Sequence, residues 1–395
     1  MAARYFLLLT AVAAFLEQGM DFPADEGTDE GMDFDSAGGF AAFFDEVVIP
    51  AKEARAKLNP PVRVGSADAS KLGRECAADA MTVRILKADV KVLIIGGGPA
   101  GLSAAVYAAR ADLAPLVVAR DGGQLESTSW VDNYPGFVDG VDAVGLIQSL
   151  EGQSKRFGAT FKSCGIRQVD VTCRPFRIIC EDDEVFTSSA LIIATGASPR
   201  WLGAPGEAAL LSRGVHTCAT CDGYYYKGRP VAVVGGGDTA MEQALFLARI
   251  CSQVYVLHRA GTFRASKAMA TRVLNHPNIV VLWHTVVTEF SEGGDKLTAL
   301  QIETQVDGAA SSSTLRVDAA FVAIGHTPNT QLFQDVKRDD AGYIHTIPGT
   351  TATSVPGVYA AGDVQDPVYR QAITSAGTGA MAAMDAERWL CEHGC

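Results

Sequence analysis

Apolar residues fall into three regimes along the chain, and each change of regime predicts a boundary. The first regime is a twelve-residue apolar run, Tyr5 to Leu16, behind Arg4. It is too short to span a bilayer and has the form of a signal-peptide core over 1–16; with no clean small-x-small cleavage site, an ordinary terminal segment is the competing reading. Polar residues then take over: from Glu17 to Glu46 there are ten acidic residues and no Lys or Arg, and Gly-Met-Asp-Phe occurs at 19–22 and again at 31–34. So charged a stretch stays solvated, which predicts an acidic low-complexity linker over 17–50. Helical and strand-like pieces return over 51–89, a short leader segment whose fold the pattern leaves open.

From Val90 the pattern is that of packed layers. Val90-Lys-Val-Leu-Ile-Ile95 is a near-continuous apolar run, the mark of a strand buried on both faces, and it ends in glycines. Ala100 to Ala111 is rich in alanine, with Leu102, Val106 and Tyr107 on its apolar side, and predicts a helix. Pro115 then precedes another buried run, Leu116 to Ala119. The same succession returns as a strand at Pro230 to Val234, a helix from about Thr239 to Ile250 and a strand at Val254 to Leu257. The glycines that follow the two first strands, Gly96 and Gly235, lie 139 residues apart, much too far for a solenoid repeat. Pattern alone thus predicts an α/β chain with two Rossmann-like nucleotide-binding domains.

Composition bounds this picture without redirecting it. A chain of 395 residues, 48% hydrophobic, can bury more than one core, so two or three domains are expected. The net charge of −12 argues against a general attraction to nucleic-acid phosphate or an anionic membrane. Nine cysteines, an odd number scattered over a long chain, are not the dense framework of a disulfide-stapled secreted module.

The chemistry sits in the turns. Gly96-Gly-Gly98-Pro99-Ala100-Gly101 is GxGxxG between a strand and a helix, where small residues let the backbone approach a pyrophosphate and the helix N-terminus favours its charge. Gly235-Gly-Gly237-Asp238-Thr239-Ala240 repeats it with the alanine that this fingerprint allows. After the second unit's second strand come His258, Arg259 and Arg264, with no acidic residue where an NAD ribose would find one; arginine there suits a 2′-phosphate, so NADPH is expected over NADH. Between the two turns lies Cys218-Ala-Thr-Cys221-Asp222-Gly223. Thiols at this spacing can close a small disulfide ring and lower one thiol's pKa. Zinc is the rival reading, but a structural site needs four ligands, and the other close pair, Cys391 and Cys395, is distant and wrongly spaced, so no metal is expected. Asp222 can move the proton that thiolate chemistry requires, or can simply form an Asp-Gly turn.

The run from Cys218 to Asp222 and on to Gly235 and Asp238 resembles the signature of the low-molecular-weight thioredoxin reductases. The likeness extends from about Lys91 to Leu390 and takes in Gly122-Gly123-Gln124-Leu125, Asn133-Tyr-Pro-Gly136, Ala194-Thr195-Gly196, Ala323-Ile-Gly325-His326, Ala361-Gly362-Asp363 and Tyr369-Arg370-Gln371-Ala372. It implies a three-layer α/β architecture in which an NADPH domain carrying the CxxC, 199–326, is inserted into a discontinuous FAD domain, 90–198 and 327–390. Gly96 to Gly101, Gly123 to Leu125, Asn133, Ala194 to Gly196, Gly362, Asp363 and Arg370 to Ala372 would serve FAD, and Gly235, Gly237, Asp238 and Thr239 with His258, Arg259 and Arg264 NADPH. It further implies a homodimer, electron flow from NADPH through FAD to the disulfide of a thioredoxin-like protein, Cys221 against the flavin, Cys218 as the attacking sulfur and Asp222 as acid or base. Members of the family rotate one domain against the other, and Ser198-Pro199 and Gly325 to Pro328 are plausible hinges.

Three departures stand out. Ala260 replaces a second arginine of the family, which weakens the coenzyme preference. The tail 391–395, with Cys391 and Cys395, is foreign to the pattern and is either a redox relay or incidental. The 89-residue leader has no counterpart, and fits a secretory or a plastid-type route, with the cytoplasm as the alternative. Competing functions are a flavin disulfide reductase with a peroxiredoxin-type partner or a ferredoxin donor, and a redox-responsive binding protein without turnover.

Overall fold

The computed structural model describes residues 89–306 and 308–393. The signal-like run 1–16, the acidic linker, the leader through residue 88 and Cys395 lie outside the described residues.

Strand β1 (Asp89–Ile95) turns through the first glycines into α1 (Pro99–Arg110), and β2 (Leu116–Ala119) returns parallel to β1. A small hairpin, β3 (Trp130–Val131) and β4 (Val141–Asp142), leads to α2 (Ala143–Arg156), whose first turn is capped by the Asp142 carboxylate accepting from the Gly145 N–H at 2.6 Å. Next come β5 (Thr160–Ser163), β6 (Ile166–Asp170), β7 (Phe176–Cys180) and the long β8 (Val185–Ile193), which pairs parallel with β1 and antiparallel with β7. The period of two decides the layers. Val92, Ile94, Ala190 and Ile192 face the helices, while Leu93, Ile95, Leu191 and Ile193 join Phe176, Phe333 and Ile344 in a second core.

After β9 (Ala197–Pro199) the chain leaves this lobe and builds another. β10 (Val215–His216), the single turn α3 (Ala219–Asp222), β11 (Pro230–Val234), α4 (Asp238–Leu247), β12 (Gln253–His258), α5 (Lys267–Leu274) and β13 (Ile279–Trp283) follow. Then come the antiparallel β14 (Thr285–Gly293), β15 (Lys296–Val306) and β16 (Ala309–Arg316), and β17 (Ala319–Val322), which completes a parallel sheet in the order β10-β17-β11-β12-β13. One sheet face packs Met241, Ala244 and Leu247 of α4; the other packs Phe290, Leu297 and Leu300 of the antiparallel layer, so this lobe has three layers. Helix α4 stops at Leu247 instead of reaching Ile250, and the residues after it close as turns on the Ala244, Phe246 and Leu247 carbonyls.

The chain returns through β18 (His326–Pro328), which pairs antiparallel with β9, so both crossings between lobes run side by side in one short ribbon. β19 (Val358–Ala360) joins β8, and α6 (Ala372–His393) packs against α1. That crossing is close because the residues are small: a Cβ on Gly379 would lie 2.0 Å from the Ala100 carbonyl oxygen. Among the described residues no helix is long and apolar enough to cross a membrane.

Candidate active site

The two glycine turns are built alike. Gly96 (φ +124) and Gly235 (φ +157) each pass over an alanine carbonyl from the neighbouring strand, so that an added Cβ would lie 2.2 Å from Ala194 O and 2.4 Å from Ala323 O. Ala194 N–H donates to Ile95 O and Ala323 N–H to Val234 O, both at 2.8 Å. Gly101 is crowded further, since its Cβ would fall 1.9 Å from Gly96 O. The middle glycines are different: a Cβ on Gly98 meets only Gly122 O at 3.7 Å, and one on Gly237 meets nothing within 4 Å. The crowded glycines pull strand and helix together, and the open ones leave a cleft over the helix N-terminus that fits an anionic pyrophosphate.

Around the first turn the structure gathers nearly all the residues expected to serve FAD. Pro99 opens α1 and Ala100 is buried beneath Gly362, whose Cβ would lie 2.8 Å from the Ala100 methyl. Gly123 (φ +75) and Leu125 lie on a short helical turn with Gln124, whose side-chain amide donates to the Ala197 carbonyl. Thr195 Oγ1 donates to Asn329 O at 2.7 Å, and Gly196 (φ +68) turns the chain into β9. Gly362 N–H donates to Thr378 Oγ1, and Asp363 accepts from Ser375 Oγ at 2.8 Å; burial raises the pKa of this carboxyl. Arg370 (φ +48) and Gln371 immediately precede Ala372, the first residue of α6.

At the second turn the loop after β12 folds back on the glycines, with Arg264 N–H and Ala265 N–H both donating to Gly236 O. Arg259 and Arg264 are exposed beside it. Asp238 fastens the loop, accepting from Ser266 N–H and Oγ at 2.9 Å, and Thr239 follows it in the first turn of α4. His258, by contrast, is buried: its Nε2 lies 2.9 Å from Thr262 O, its ring packs on Phe263 and Trp283, and burial lowers its pKa. That ring lies directly against the turn, where a Cβ on Gly236 would fall 2.2 Å from its Cε1, so it supports the glycines while the two arginines stay exposed.

Cys218 and Cys221 are joined as a disulfide on α3. The pair is pressed against the other lobe: Gln371 Nε2 lies 3.7 Å from Cys218 Sγ and 3.9 Å from Cys221 Sγ, and Asn133 Nδ2 donates to Gln371 Oε1 at 3.1 Å. The Tyr225 hydroxyl donates to Asp132 across the same boundary. Behind the pair, Asp222 Oδ2 is 3.3 Å from His216 Nδ1, and His216 Nε2 is 2.8 Å from the Tyr226 hydroxyl. Asp222 makes no side-chain cap of the turn it precedes, so its carboxylate is directed to His216. It also lines a cavity of about 310 Å³ with Thr128, Trp130, Tyr225 and Tyr226. Sequence reasoning missed His216, Tyr226 and Asp132. Cys391 is exposed near the end of α6.

A family model described as pyridine nucleotide-disulphide oxidoreductase matches residues 90–379. A thioredoxin reductase of Rickettsia conorii is 43% identical over 308 residues, covering 77% of this chain and 99% of that protein. This chain belongs to the thioredoxin reductases of that family. A mitochondrial thioredoxin reductase of Arabidopsis thaliana is 45% identical over 322 residues, covering 78% of this chain and 85% of that protein. The solved thioredoxin reductase of Giardia duodenalis is 39% identical with a TM-score of 0.73, covering 77% of this chain and all of that one. Thioredoxin reductases use FAD and NADPH. Two turns of the same construction, with a disulfide between them in the chain, are what two dinucleotides and a dithiol centre require.

Proposed function

We propose that the chain is an NADPH-dependent reductase of a thioredoxin-like protein, with Cys218 and Cys221 as its dithiol centre. The observation that carries this reading is the placement of the disulfide against Gln371, which Asn133 holds and which immediately precedes α6, the segment expected to cover the flavin. FAD would be held by the turn at Gly96, Gly98 and Gly101 with Gly123 to Leu125, Thr195, Asp363 and Arg370 to Ala372. NADPH would be held by Gly235, Gly237, Thr239, Arg259 and Arg264. When bound, FAD takes two electrons from NADPH and supplies them to the disulfide.

The chain's own residues do the rest. Cys218 passes its proton to Asp222 and attacks one sulfur of the partner's disulfide; a mixed disulfide forms, and the departing sulfur takes the proton back. Cys221 then attacks Cys218 Sγ, the mixed bond breaks, and its proton goes to the second partner sulfur. Two electrons and two protons have left the pair, which is a disulfide again. While the pair faces Gln371 it is shielded from a bulky partner, so we assign a rotation about the β9–β18 ribbon between the two half-reactions. The exposed α1–α6 side of the first lobe, with Tyr107, Met381 and Met384, suits a homodimer. The mitochondrial relative and the apolar start favour an organellar destination.

Anaerobic titration with NADPH and NADH, followed by flavin bleaching and then addition of thioredoxin, tests the scheme. Bleaching by NADPH with stoichiometric thioredoxin reduction is expected. Cys218→Ser should abolish thioredoxin reduction and leave bleaching intact; unaffected turnover in that variant would refute the scheme.

A further inference from the structure

We propose that His216 is a positioning residue that holds the Asp222 carboxylate for proton transfer at the Cys218–Cys221 pair. The inference rests on the function proposed above and goes beyond it, since His216 lies outside the CxxC-Asp signature, two residues before the first cysteine.

The ring is confined on three sides. His216 is buried on β10, and its ring stacks on Phe321 of β17 with centroids 5.4 Å apart. Both nitrogens have partners: Nδ1 faces Asp222 Oδ2 at 3.3 Å and Nε2 faces the Tyr226 hydroxyl at 2.8 Å. A carboxylate can only accept, so the contact at Nδ1 requires a proton on that nitrogen, and a neutral ring in that tautomer takes a hydrogen bond from the Tyr226 hydroxyl at Nε2. Tyr226 is itself held neutral, its pKa pushed up to about 12 by burial and then by the Asp222 charge. The contact at Nδ1 holds the carboxylate in one orientation beside the cysteine pair, and an ionised carboxylate is the form that can take a proton from Cys218. The remaining charged or titratable neighbours are Tyr225, bonded to Asp132, and the Arg229–Asp318 ion pair at 3.5 Å beyond Tyr226. None of them replaces the contact at Nδ1. The cavity of about 310 Å³ touches both His216 and Asp222 and opens to solvent, so the carboxylate can exchange its proton between turnovers.

The test compares the full-chain holoenzyme with His216→Ala and His216→Asn in single-turnover oxidation of the NADPH-reduced enzyme by thioredoxin across pH 5 to 9. His216→Ala removes the group that holds Asp222, so misplacement of the carboxylate should lower the plateau rate roughly 10- to 100-fold, and the acid limb should move up as well. His216→Asn keeps an N–H donor near Nδ1 and should restore most of the rate and the limb. Flavin bleaching by NADPH should be unchanged in both variants, which a misfolded protein would not give. An acid limb that stays put in His216→Ala, or a loss that Asn does not rescue, overturns the inference while the function stands. A wild-type enzyme that bleaches with NADPH but never reduces thioredoxin overturns the function, and the inference with it.

Discussion

Gly98 and Gly101 lie three residues apart in one motif, yet the structure assigns them different work, and one alanine at each separates the two. A Cβ on Gly101 falls 1.9 Å from Gly96 O and 2.9 Å from Gly96 C, whereas ordinary contact begins near 3.4 Å. The difference of about 1.5 Å has to be made up by backbone, because no flexible side chain is in the way. Helix α1 must lift off β1, against the close crossing of α6 on its other side. Overpacking of this kind costs about 1–3 kcal/mol. On Gly98 the new methyl meets only Gly122 O at 3.7 Å, and the backbone (φ −79, ψ −177) suits any residue. The apoprotein should therefore lose no more than about 0.5 kcal/mol. The methyl does occupy the ground left open for a pyrophosphate, so flavin retention should fall in both variants but the stability of the flavin-stripped protein only in Gly101→Ala. Thermal unfolding of stripped protein and the flavin-to-protein absorbance ratio of the holoprotein measure the two effects. Equal apoprotein stability for the two variants, or full flavin in Gly98→Ala, would refute the division of roles.

Arg259→Ala should raise the KM for NADPH about 10-fold and leave that for NADH nearly unchanged, because a charge-assisted bond to a 2′-phosphate is worth about 1.5 kcal/mol; equal changes for both coenzymes would sink the assignment. The pKa of His326 is pushed down to about 4 from an ordinary 6.5 by burial, then by Arg370 and Arg200. Its unfolded form thus takes up a proton first, so its stability contribution is complete above pH 6.5 and is lost as pH falls from there towards 4. His326→Gln should flatten the fall in Tm over that window, and an unchanged slope would contradict the reasoning. Cys164 and Cys180, 16 residues apart, form a second disulfide, between the turn before β6 and the end of β7. Cys164→Ser should lower the unfolding free energy by about 3 kcal/mol in denaturant melts, and an unchanged midpoint would contradict this.

Much of the fold was legible because buried parallel strands are written as unbroken apolar runs. Val90 to Ile95 and Pro230 to Val234 name themselves, and the glycines after them mark where strand gives way to helix. The end of α4 was not legible, since Ala248 to Ile250 keep the helical composition and only the hydrogen bonds of the last turn show that it has closed. His216 gave no local signal either: a lone histidine before CxxC looks like any core residue until Tyr226 and Asp222 are seen on its two nitrogens. His258 shows the reverse: adjacent to Arg259 in sequence, it is the buried last residue of β12, while Arg259 beyond the strand is exposed.

The order of residues by itself determined two strand-turn-helix units, their glycine turns and a pair of cysteines between them, because each depends on neighbours within a dozen positions. Only the tertiary structure decided that Gln371 meets the sulfurs of Cys218 and Cys221, some 150 residues earlier, and that the two crossings pair as one ribbon. Such contacts are set by how whole layers pack, and no short stretch of the chain encodes the outcome of that packing.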